Sequence, residues 1–252
     1  MGKTVSNFNS LRMSFHEYFK AIPATSDELK NEVFRIRYDV YCEELGYEDT
    51  KQFPDRLEQD SYDPHSLHCL LWHKSSDKFA GCVRLAKTSP ELNSQKLPFE
   101  LTCGDKIDQS IVDIKKLPAE SYGEISRLAV RSAFRRRAGE KNTPFGVVPD
   151  AGPELEERRS FPLIAFGLYL SAAASGLNTG LERAFAMMEP RLARRLRIFG
   201  INFEQIGEPV EHRGLRAPFQ ITEKGLYSRM PEDLKLLLND IRQDVMTKNP
   251  TD

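Results

Sequence analysis

Gly123-Glu124-Ile125-Ser126-Arg127-Leu128-Ala129-Val130 is an apolar stretch that carries a carboxylate and a guanidinium three residues apart. A short apolar run of this kind is typical of a buried β-strand. After four further residues comes Arg135-Arg136-Arg137-Ala138-Gly139, a cationic turn with the charge needed to hold a phosphate. The sequence therefore predicts a strand that brings charged groups into a site and a turn that binds an anion.

The sequence before this strand predicts a helix and a hairpin. Residues 26–45 have apolar residues at helical spacing, and Thr25 and Glu28 have the spacing of a capping box. The apolar stripe of this helix consists of Leu29, Val33, Ile36 and Val40. Residues 67–73 and 79–85 are apolar runs separated by a short polar turn, which is the pattern of a β-hairpin.

The sequence after this strand predicts alternating helices and strands. Residues 140–160 contain three prolines and several glycines, so we expect a loop insertion there. The expected elements that follow are a helix at 161–176, a strand at 183–188, a helix at 190–199 ended by Gly200, strands at 203–210 and 217–222, and a C-terminal helix at 231–246. We predict one α/β (α+β) domain over residues 1–252, with a central twisted mixed sheet flanked by helices.

Composition limits the class of protein. The chain has 252 residues, of which 40% are hydrophobic, so it can bury a full core. Its formal net charge of -1 argues against a protein that coats nucleic acid. Residues 1–6 are too polar for a secretory signal peptide, and the apolar run at 161–177 is too short and interrupted for a membrane span. We therefore predict a cytoplasmic protein with no nucleic acid partner and no membrane span.

Cysteine and histidine spacing indicates neither a disulfide framework nor a metal site. The four cysteines are Cys42, Cys69, Cys82 and Cys103. They form no CxxC pair, so we expect buried thiols in a reducing compartment. His68 and His73 fall on opposite faces of the predicted strand, and we predict that no metal is bound.

The central stretch resembles a known superfamily. The order of strand, Leu-Ala-Val, arginine-rich turn, glycine and helix is similar to the acyl-CoA-binding core of the GNAT acyltransferases. That resemblance implies a GNAT-like fold in which backbone amides of the turn and a helix N-terminus hold the pyrophosphate or phosphopantetheine of the donor. The implied donor-binding residues are Leu128, Ala129, Val130, Arg135, Arg136, Arg137 and Gly139. Lys141 stands where a small residue is usual, which departs from the pattern.

A narrower resemblance covers residues 37–127 and is to the acyl-homoserine-lactone synthases and the N-acyl amino acid synthases. It implies a catalytic group made of Glu124, Arg127 and Arg84. The implied substrate-binding residues are Arg37, Tyr41, Tyr47, Asp60, Asp63, Phe99 and Ser126. The branch that the chain most resembles, through residues 34–44 and the arginine-rich helix after Glu189-Pro190, is the acyltransferase family associated with bacterial PEP-CTERM/exosortase systems.

Acyl transfer to an amine requires a base, because the amine loses a proton as it attacks the thioester carbonyl. We predict that Glu124 is this base, since partial burial next to the donor-binding turn would raise its pKa. The alternative is that Glu124 pairs with Arg84 or Arg127 as a structural ion pair. The charged residues around it likewise have two interpretations: they bind the amine and carboxylate of an amino acid, or they only tie the N-terminal helix to the sheet.

Three functions remain open from the sequence. The first is an N-acyltransferase that moves a long-chain acyl group from acyl carrier protein or acyl-CoA to a small amine, with no permanently bound cofactor. Its carrier protein would dock on the arginines of residues 131–137 and 191–197. The second is a short-chain acetyltransferase that uses acetyl-CoA. The third is a non-catalytic protein that binds a partner through its arginine-rich surface.

Overall fold

The computed structural model describes residues 3–88, 96–135 and 160–246, with side chains described from Leu11 onward in the first range and from Leu163 onward in the last. The predicted insertion at 140–160 lies almost wholly outside the described residues. Eight strands form one mixed sheet in the order β1-β2-β3-β4-β5-β8-β6, and β7 pairs with β8. This architecture confirms the predicted mixed sheet flanked by helices.

The strands are β1 (Phe19–Pro23), β2 (Ser66–His73), β3 (Lys78–Lys87), β4 (Tyr122–Val130), β5 (Arg183–Met188), β6 (Glu204–Gln205), β7 (Val210–Glu211) and β8 (Leu215–Thr222). The helices are α1 (Lys3–Tyr18), α2 (Asp27–Arg37), α3 (Pro98–Cys103), α4 (Ser160–Asn178), α5 (Pro190–Ile198), α6 (Glu223–Ser228) and α7 (Glu232–Met246). The predicted β2–β3 hairpin, the central strand β4 and the elements β5, α5 and α7 are confirmed. No helix among the described residues is long and apolar enough to cross a membrane.

The sheet opens between its two central strands. β4 and β5 are the parallel pair, and their pairing extends only from Tyr122 opposite Arg183 to Glu124 opposite Phe185. β5 then continues as the antiparallel partner of β8 as far as Met188. The later residues of β4 and β5 therefore splay apart, and a cleft forms at their carboxyl ends.

A β-bulge in β4 changes which side chains face the cleft. Arg84 on β3 pairs with Ser126, whereas Cys82 pairs with Ala129, so β4 has one extra residue between these two positions. Arg127 lies in the bulge with a φ of 50°. Because a bulge shifts the alternation of side chains by one, Arg127 joins Glu124 and Ser126 on one face of the sheet. A regular strand would have placed Glu124 and Arg127 on opposite faces.

Each face of the sheet has its own core. On one face, Val33 and Ile36 of α2, together with Val40 just after it, pack against Leu70 and Cys82. On the other face, α1, α4 and α7 pack on a larger cluster that includes side chains of β3 and β4. All four cysteines are free and buried, as predicted.

The first predicted helix is corrected in two ways. Its N-cap is Ser26, whose hydroxyl accepts a hydrogen bond from the Leu29 amide, in place of the predicted Thr25. The α-helix ends at Arg37 and continues as a π-helix from Tyr38 to Glu44. The wider π turn is common near functional sites, and here it lies directly behind the cleft.

The predicted strand at 203–210 is also corrected. The chain forms only the short strands β6 and β7, which are separated at Gly207. Gly207 pairs with Ile107 and packs so closely on the Lys106 carbonyl oxygen that an added Cβ would lie 2.4 Å from it. The sequence analysis also missed α1, β1, α3 and α6.

Gly81 allows a test of how tightly β3 and β4 pack beside the bulge. A Cβ at this position would lie 2.4 Å from the Ala129 carbonyl oxygen. Gly81→Ala should therefore lower the free energy of unfolding by about 1–3 kcal/mol, measured by urea denaturation. Gly104 is the matched control, because it has a φ of -58° and no atom within 4 Å of the added Cβ. Equal effects of the two substitutions would show that the close approach is unimportant.

Candidate active site

A buried network of charged side chains lies between α2 and the sheet. Arg37, at the end of α2, has no exposed surface. Its Nε donates a hydrogen bond to Glu58 at 2.5 Å, and its Nη1 donates to Asp63 at 2.7 Å. These interactions hold the pKa of Asp63 well below its usual range in spite of burial. The charge of Arg37 is therefore neutralised by two carboxylates of its own chain.

Arg84 connects this network to β4. It is fully buried, and its Nη1 donates to Asp60 at 2.6 Å and to Asp63 at 3.0 Å. Its Nε donates to the Ser126 hydroxyl at 3.1 Å. Asp63 thus accepts hydrogen bonds from two arginines, which fixes the loop before β2 against β3.

Arg127, in the bulge of β4, completes the network. Its guanidinium lies 3.2 Å from Glu58, 3.1 Å from Asp60 and 3.5 Å from Glu48. The Arg127 guanidinium also lies over the ring of Tyr41. The Tyr41 hydroxyl donates a hydrogen bond to the Leu128 carbonyl oxygen at 2.8 Å. We call Arg37, Glu58, Asp60, Asp63, Arg84 and Arg127 the ionic network.

Glu124 lies beside the ionic network but forms no ion pair within the part of the chain that the structure describes. Its Oε2 accepts a hydrogen bond from the Phe99 amide at 2.9 Å, and only 3% of the residue is exposed. Burial raises the pKa of Glu124 to about 7, although the Phe99 amide, Arg84 and Arg127 favour the charged form. The sequence left open a structural ion pair of Glu124 with Arg84 or Arg127 as the alternative to a general base. This ion pair is not seen in the described residues, because both arginines pair with other carboxylates.

The splayed ends of β4 and β5 line a cleft. Glu124, Ser126 and Arg127 lie along its β4 side, and Met187 and Met188 lie along its β5 side. Tyr41 and Tyr47, whose rings stack with centroids 6.3 Å apart, form part of its wall together with Phe99. The cleft therefore combines a titratable carboxyl group with aromatic and cationic walls.

A second pocket lies on the other side of the sheet beneath α4. Its wall is almost entirely apolar and includes Leu85, Gly176 and Phe203. Ile125 and Tyr169 line both this apolar pocket and the cleft. These two side chains therefore separate the two spaces.

The hairpin of β7 and β8 closes the far side of the cleft. His212, Arg213 and Arg216 from this hairpin line the wall. Arg213 donates to Glu48 at 2.5 Å and lies over the ring of Tyr47. The sequence analysis missed this wall, because it placed residues 211–216 in a gap between two predicted strands.

The predicted site residues fall into three groups. Those that line the cleft are Tyr41, Tyr47, Phe99, Glu124, Ser126, Arg127 and Leu128. Those that lie behind its wall in the ionic network are Arg37, Asp60, Asp63 and Arg84. Of the predicted donor-binding residues, Ala129 and Val130 are buried in the cores, Arg135 pairs with Glu44, and Arg136, Arg137 and Gly139 lie outside the described residues.

Glu58 is a further member of the site that the sequence analysis missed. It is 1% exposed and joins Arg37 to Arg127. The only sequence signal for it is its spacing from two residues that were predicted, since Glu58, Asp60 and Asp63 follow one another closely. A loop with three acids before an apolar strand indicates buried cationic partners.

The mixed sheet with its split parallel pair defines the GNAT acyltransferase fold. Residues 36–143 match the sequence model of the acetyltransferase (GNAT) domain. No curated protein sequence matches the chain significantly.

Solved structures share this fold over most of the chain. TofI, in a ternary complex with an inhibitor and MTA, has a TM-score of 0.56 and 16% identity over 87% of this chain and 96% of its own. BjaI, a CoA-dependent acyl-homoserine lactone synthase with SAM and isopentyl-CoA, has a TM-score of 0.52 and 21% identity over 89% of each chain. FeeM, an N-acyl amino acid synthase from uncultured soil microbes, has a TM-score of 0.53 and 13% identity over 84% of this chain and 94% of its own. At these identities the likeness shows the fold.

The raised pKa of Glu124 predicts how stability depends on pH. The folded chain ionises this carboxyl group near pH 7, whereas its ordinary pKa is 4.5, so unfolding releases a proton between these values. Stability should therefore fall as the pH rises through this window. Glu124→Gln removes this ionisation. We therefore compare the free energy of unfolding of the variant with that of wild type. This difference should be roughly 1–3 kcal/mol more in favour of the variant at pH 8 than at pH 4.

Urea denaturation at a series of pH values measures this difference, with Glu223→Gln on the exposed start of α6 as the control. A constant difference between Glu124→Gln and wild type at all pH values would contradict the raised pKa.

Proposed function

We propose that the protein is an N-acyltransferase that moves an acyl group, long-chain by preference, from acyl carrier protein or acyl-CoA to the amine of an amino acid or a similar small acceptor. The observation that carries this proposal is the position of Glu124, a buried carboxyl group with a pKa raised to about 7, in the cleft of a GNAT fold. Within the GNAT class, the resemblance of residues 34–44 supports a place beside the PEP-CTERM/exosortase-associated acyltransferases. A donor of this kind is made in the cytoplasm, where we place the reaction.

Glu124 acts as the general base in this proposal. The amine nitrogen attacks the thioester carbonyl carbon while its proton passes to the Glu124 carboxylate, directly or through one water. The tetrahedral intermediate then collapses, the bond from carbon to sulfur breaks, and the proton held by Glu124 passes to the leaving sulfur, so that the products are an amide and a free thiol. A base with a pKa near 7 is well matched to this step, because part of it is ionised at neutral pH and the ionised form accepts a proton readily. Arg127 lies on the same face and supplies positive charge near the developing oxyanion.

The ionic network holds this geometry. Arg84 donates to Ser126 and fixes the start of the bulge, and Arg127 is held within the bulge by Glu58 and Asp60. Because these arginines are paired within the chain, we assign Arg37 and Arg84 positioning roles.

The apolar pocket supports a long acyl chain as the group transferred. A chain attached to a thioester in the cleft would reach the space beneath α4 by displacing Ile125 and Tyr169, which line both spaces. Burial of each methylene there contributes about 0.8 kcal/mol to binding. An acetyl group would leave this pocket unused.

The exposed arginines of α5 support acyl carrier protein as the donor. Arg191, Arg194 and Arg197 point away from the buried Leu192 and Leu196. A carrier protein with an acidic surface would be steered to this helix, with an on-rate that falls as salt is added.

Two other functions compete with this proposal. The matched domain model is named for acetyltransferases, which favours a short-chain enzyme that uses acetyl-CoA. A non-catalytic protein that binds a partner through the arginines of α5 would not need the carboxyl group in the cleft. Donor choice and the effect of Glu124 separate these possibilities.

The acyl transfer itself is tested by mass spectrometry. Purified protein is incubated with long-chain acyl carrier protein, long-chain acyl-CoA or acetyl-CoA, each with a mixture of amino acids. We expect an N-acyl product from a long-chain donor, at a rate that rises with pH around a midpoint near 7. Glu124→Gln should lower kcat by roughly 10²–10⁴-fold.

Glu100→Gln is the matched control for this assay. Glu100 also has a pKa raised by burial, but it lies on α3 outside the lining of the cleft. Product from acetyl-CoA alone would favour the short-chain enzyme. No product from any donor would favour the binding protein.

Acyl chain length is tested at Gly176 on α4. A side chain at this position would enter the apolar pocket, since an added Cβ meets only ordinary contacts, with Leu85 at 3.4 Å the nearest. Gly176→Leu should lower kcat/KM for a dodecanoyl donor by roughly tenfold or more and leave that for an acetyl donor unchanged. Ala165→Leu is the control, because Ala165 faces a different apolar pocket on the same helix. A parallel fall for both donors would show that the pocket does not hold the acyl chain.

A further inference from the structure

Arg216 is a cation of the cleft that forms no ion pair within the described part of the chain. It lies on β8 opposite Val210 of β7, and its side chain lines the cleft. Its Nε is buried, and no hydrogen-bond acceptor for it exists among the residues that the structure describes. Arg213, in the same hairpin, is by contrast satisfied by Glu48.

The surroundings of Arg216 have an excess of positive charge. Burial lowers the pKa of His212, and the neighbouring Arg213, Arg216 and Arg127 lower it further. The acids near this wall are already engaged: Glu48 pairs with Arg213 and Arg127, and Glu189, after β5, pairs with Arg191. Arg216 also lies close enough to Tyr169 to oppose the increase in its pKa that burial causes. Arg216 therefore lies where the cleft meets the apolar pocket.

The buried Nε–H of Arg216 is costly to the free protein, although the side chain as a whole is half-buried. A buried donor without a partner loses its hydration and gains nothing in return, so such groups are rare unless a ligand satisfies them. Arg37 and Arg84 each have a buried Nη2 without a partner in the described residues as well, but both lie behind the wall of the cleft. Arg127 lines the cleft, but its guanidinium pairs with Glu58 and Asp60. Arg216 retains its donors for a molecule that enters the cleft.

We infer that Arg216 binds an anionic group of a substrate in the cleft. An arginine pairs with either a carboxylate or a phosphate through two parallel hydrogen bonds. Two sources fit this chemistry: the carboxylate of an amino acid acceptor and the phosphate of the phosphopantetheine arm of the donor. The assignment of these two candidates rests on the proposed acyl transfer, whereas the anion site itself rests on Arg216.

Isothermal titration calorimetry with paired probes tests the inference and identifies which substrate carries the anionic group. One arm compares each of a panel of amino acids with its amide, and the other compares 4′-phosphopantetheine with pantetheine. We expect the native protein to bind the anionic member of one pair roughly 10- to 100-fold more tightly than the neutral member. In Arg216→Met this preference should vanish, and in Arg216→Lys it should be partly retained, because lysine keeps the charge but not the planar fork.

Arg229→Met is the control, since Arg229 is exposed and lies outside the cleft lining. A preference in the amino acid pair assigns the acceptor carboxylate, and a preference in the pantetheine pair assigns the donor phosphate. The inference is overturned if the native protein shows no preference in either pair, or if the preference survives in a folded Arg216→Met protein. A preference that depends on Arg216 without any acylated product by mass spectrometry would instead overturn the proposed acyl transfer and leave the anion site standing.

Discussion

The candidate site depends on one constraint: the fully buried Arg37 and Arg84 and the half-buried Arg127 must be neutralised by carboxylates of the same chain. Arg37, Arg84 and Arg127 come from a helix and two strands that are far apart in sequence. Their partners, Glu58, Asp60 and Asp63, all lie in the loop before β2. Removing one member would leave a buried charge unpaired, which typically costs 3–5 kcal/mol. This shared requirement fixes the loop, the end of α2 and the bulge of β4 in one arrangement.

The same network explains why burial can raise the pKa of Glu124 to about 7. Arg84 and Arg127 are close to it, but their hydrogen bonds are already made with other acids. Glu124 retains the Phe99 amide as its partner and otherwise experiences burial, which favours the protonated form. A site with one fewer acid in the loop would pair Glu124 with an arginine and lower its pKa. The acids of the loop thus tune the carboxyl group of the strand without touching it.

The sequence predicted much of the sheet but not the geometry that makes the cleft. The hairpin β2–β3 and the strand β4 were predictable because long apolar runs with clear turns have few alternative structures. The bulge at Arg127 was not, because an arginine with a positive φ gives no sequence signal and is held there by tertiary contacts. Glu124 was predictable through its place on an apolar strand, whereas Arg216 was not, because its importance comes from the partner it lacks. The π turn after Arg37 likewise follows from contacts across the fold.

The central claim is that burial beside a self-neutralised network raises the pKa of Glu124. The most direct measurement is a pH titration of the protein labelled with ¹³C at the glutamate side-chain carboxyl carbon, followed by NMR. The resonance absent from the Glu124→Gln spectrum belongs to Glu124. Our account predicts that this resonance titrates with a midpoint near 7. A midpoint at or below the ordinary glutamate value of 4.5 would show that Glu124 is stabilised as a carboxylate and would contradict the account.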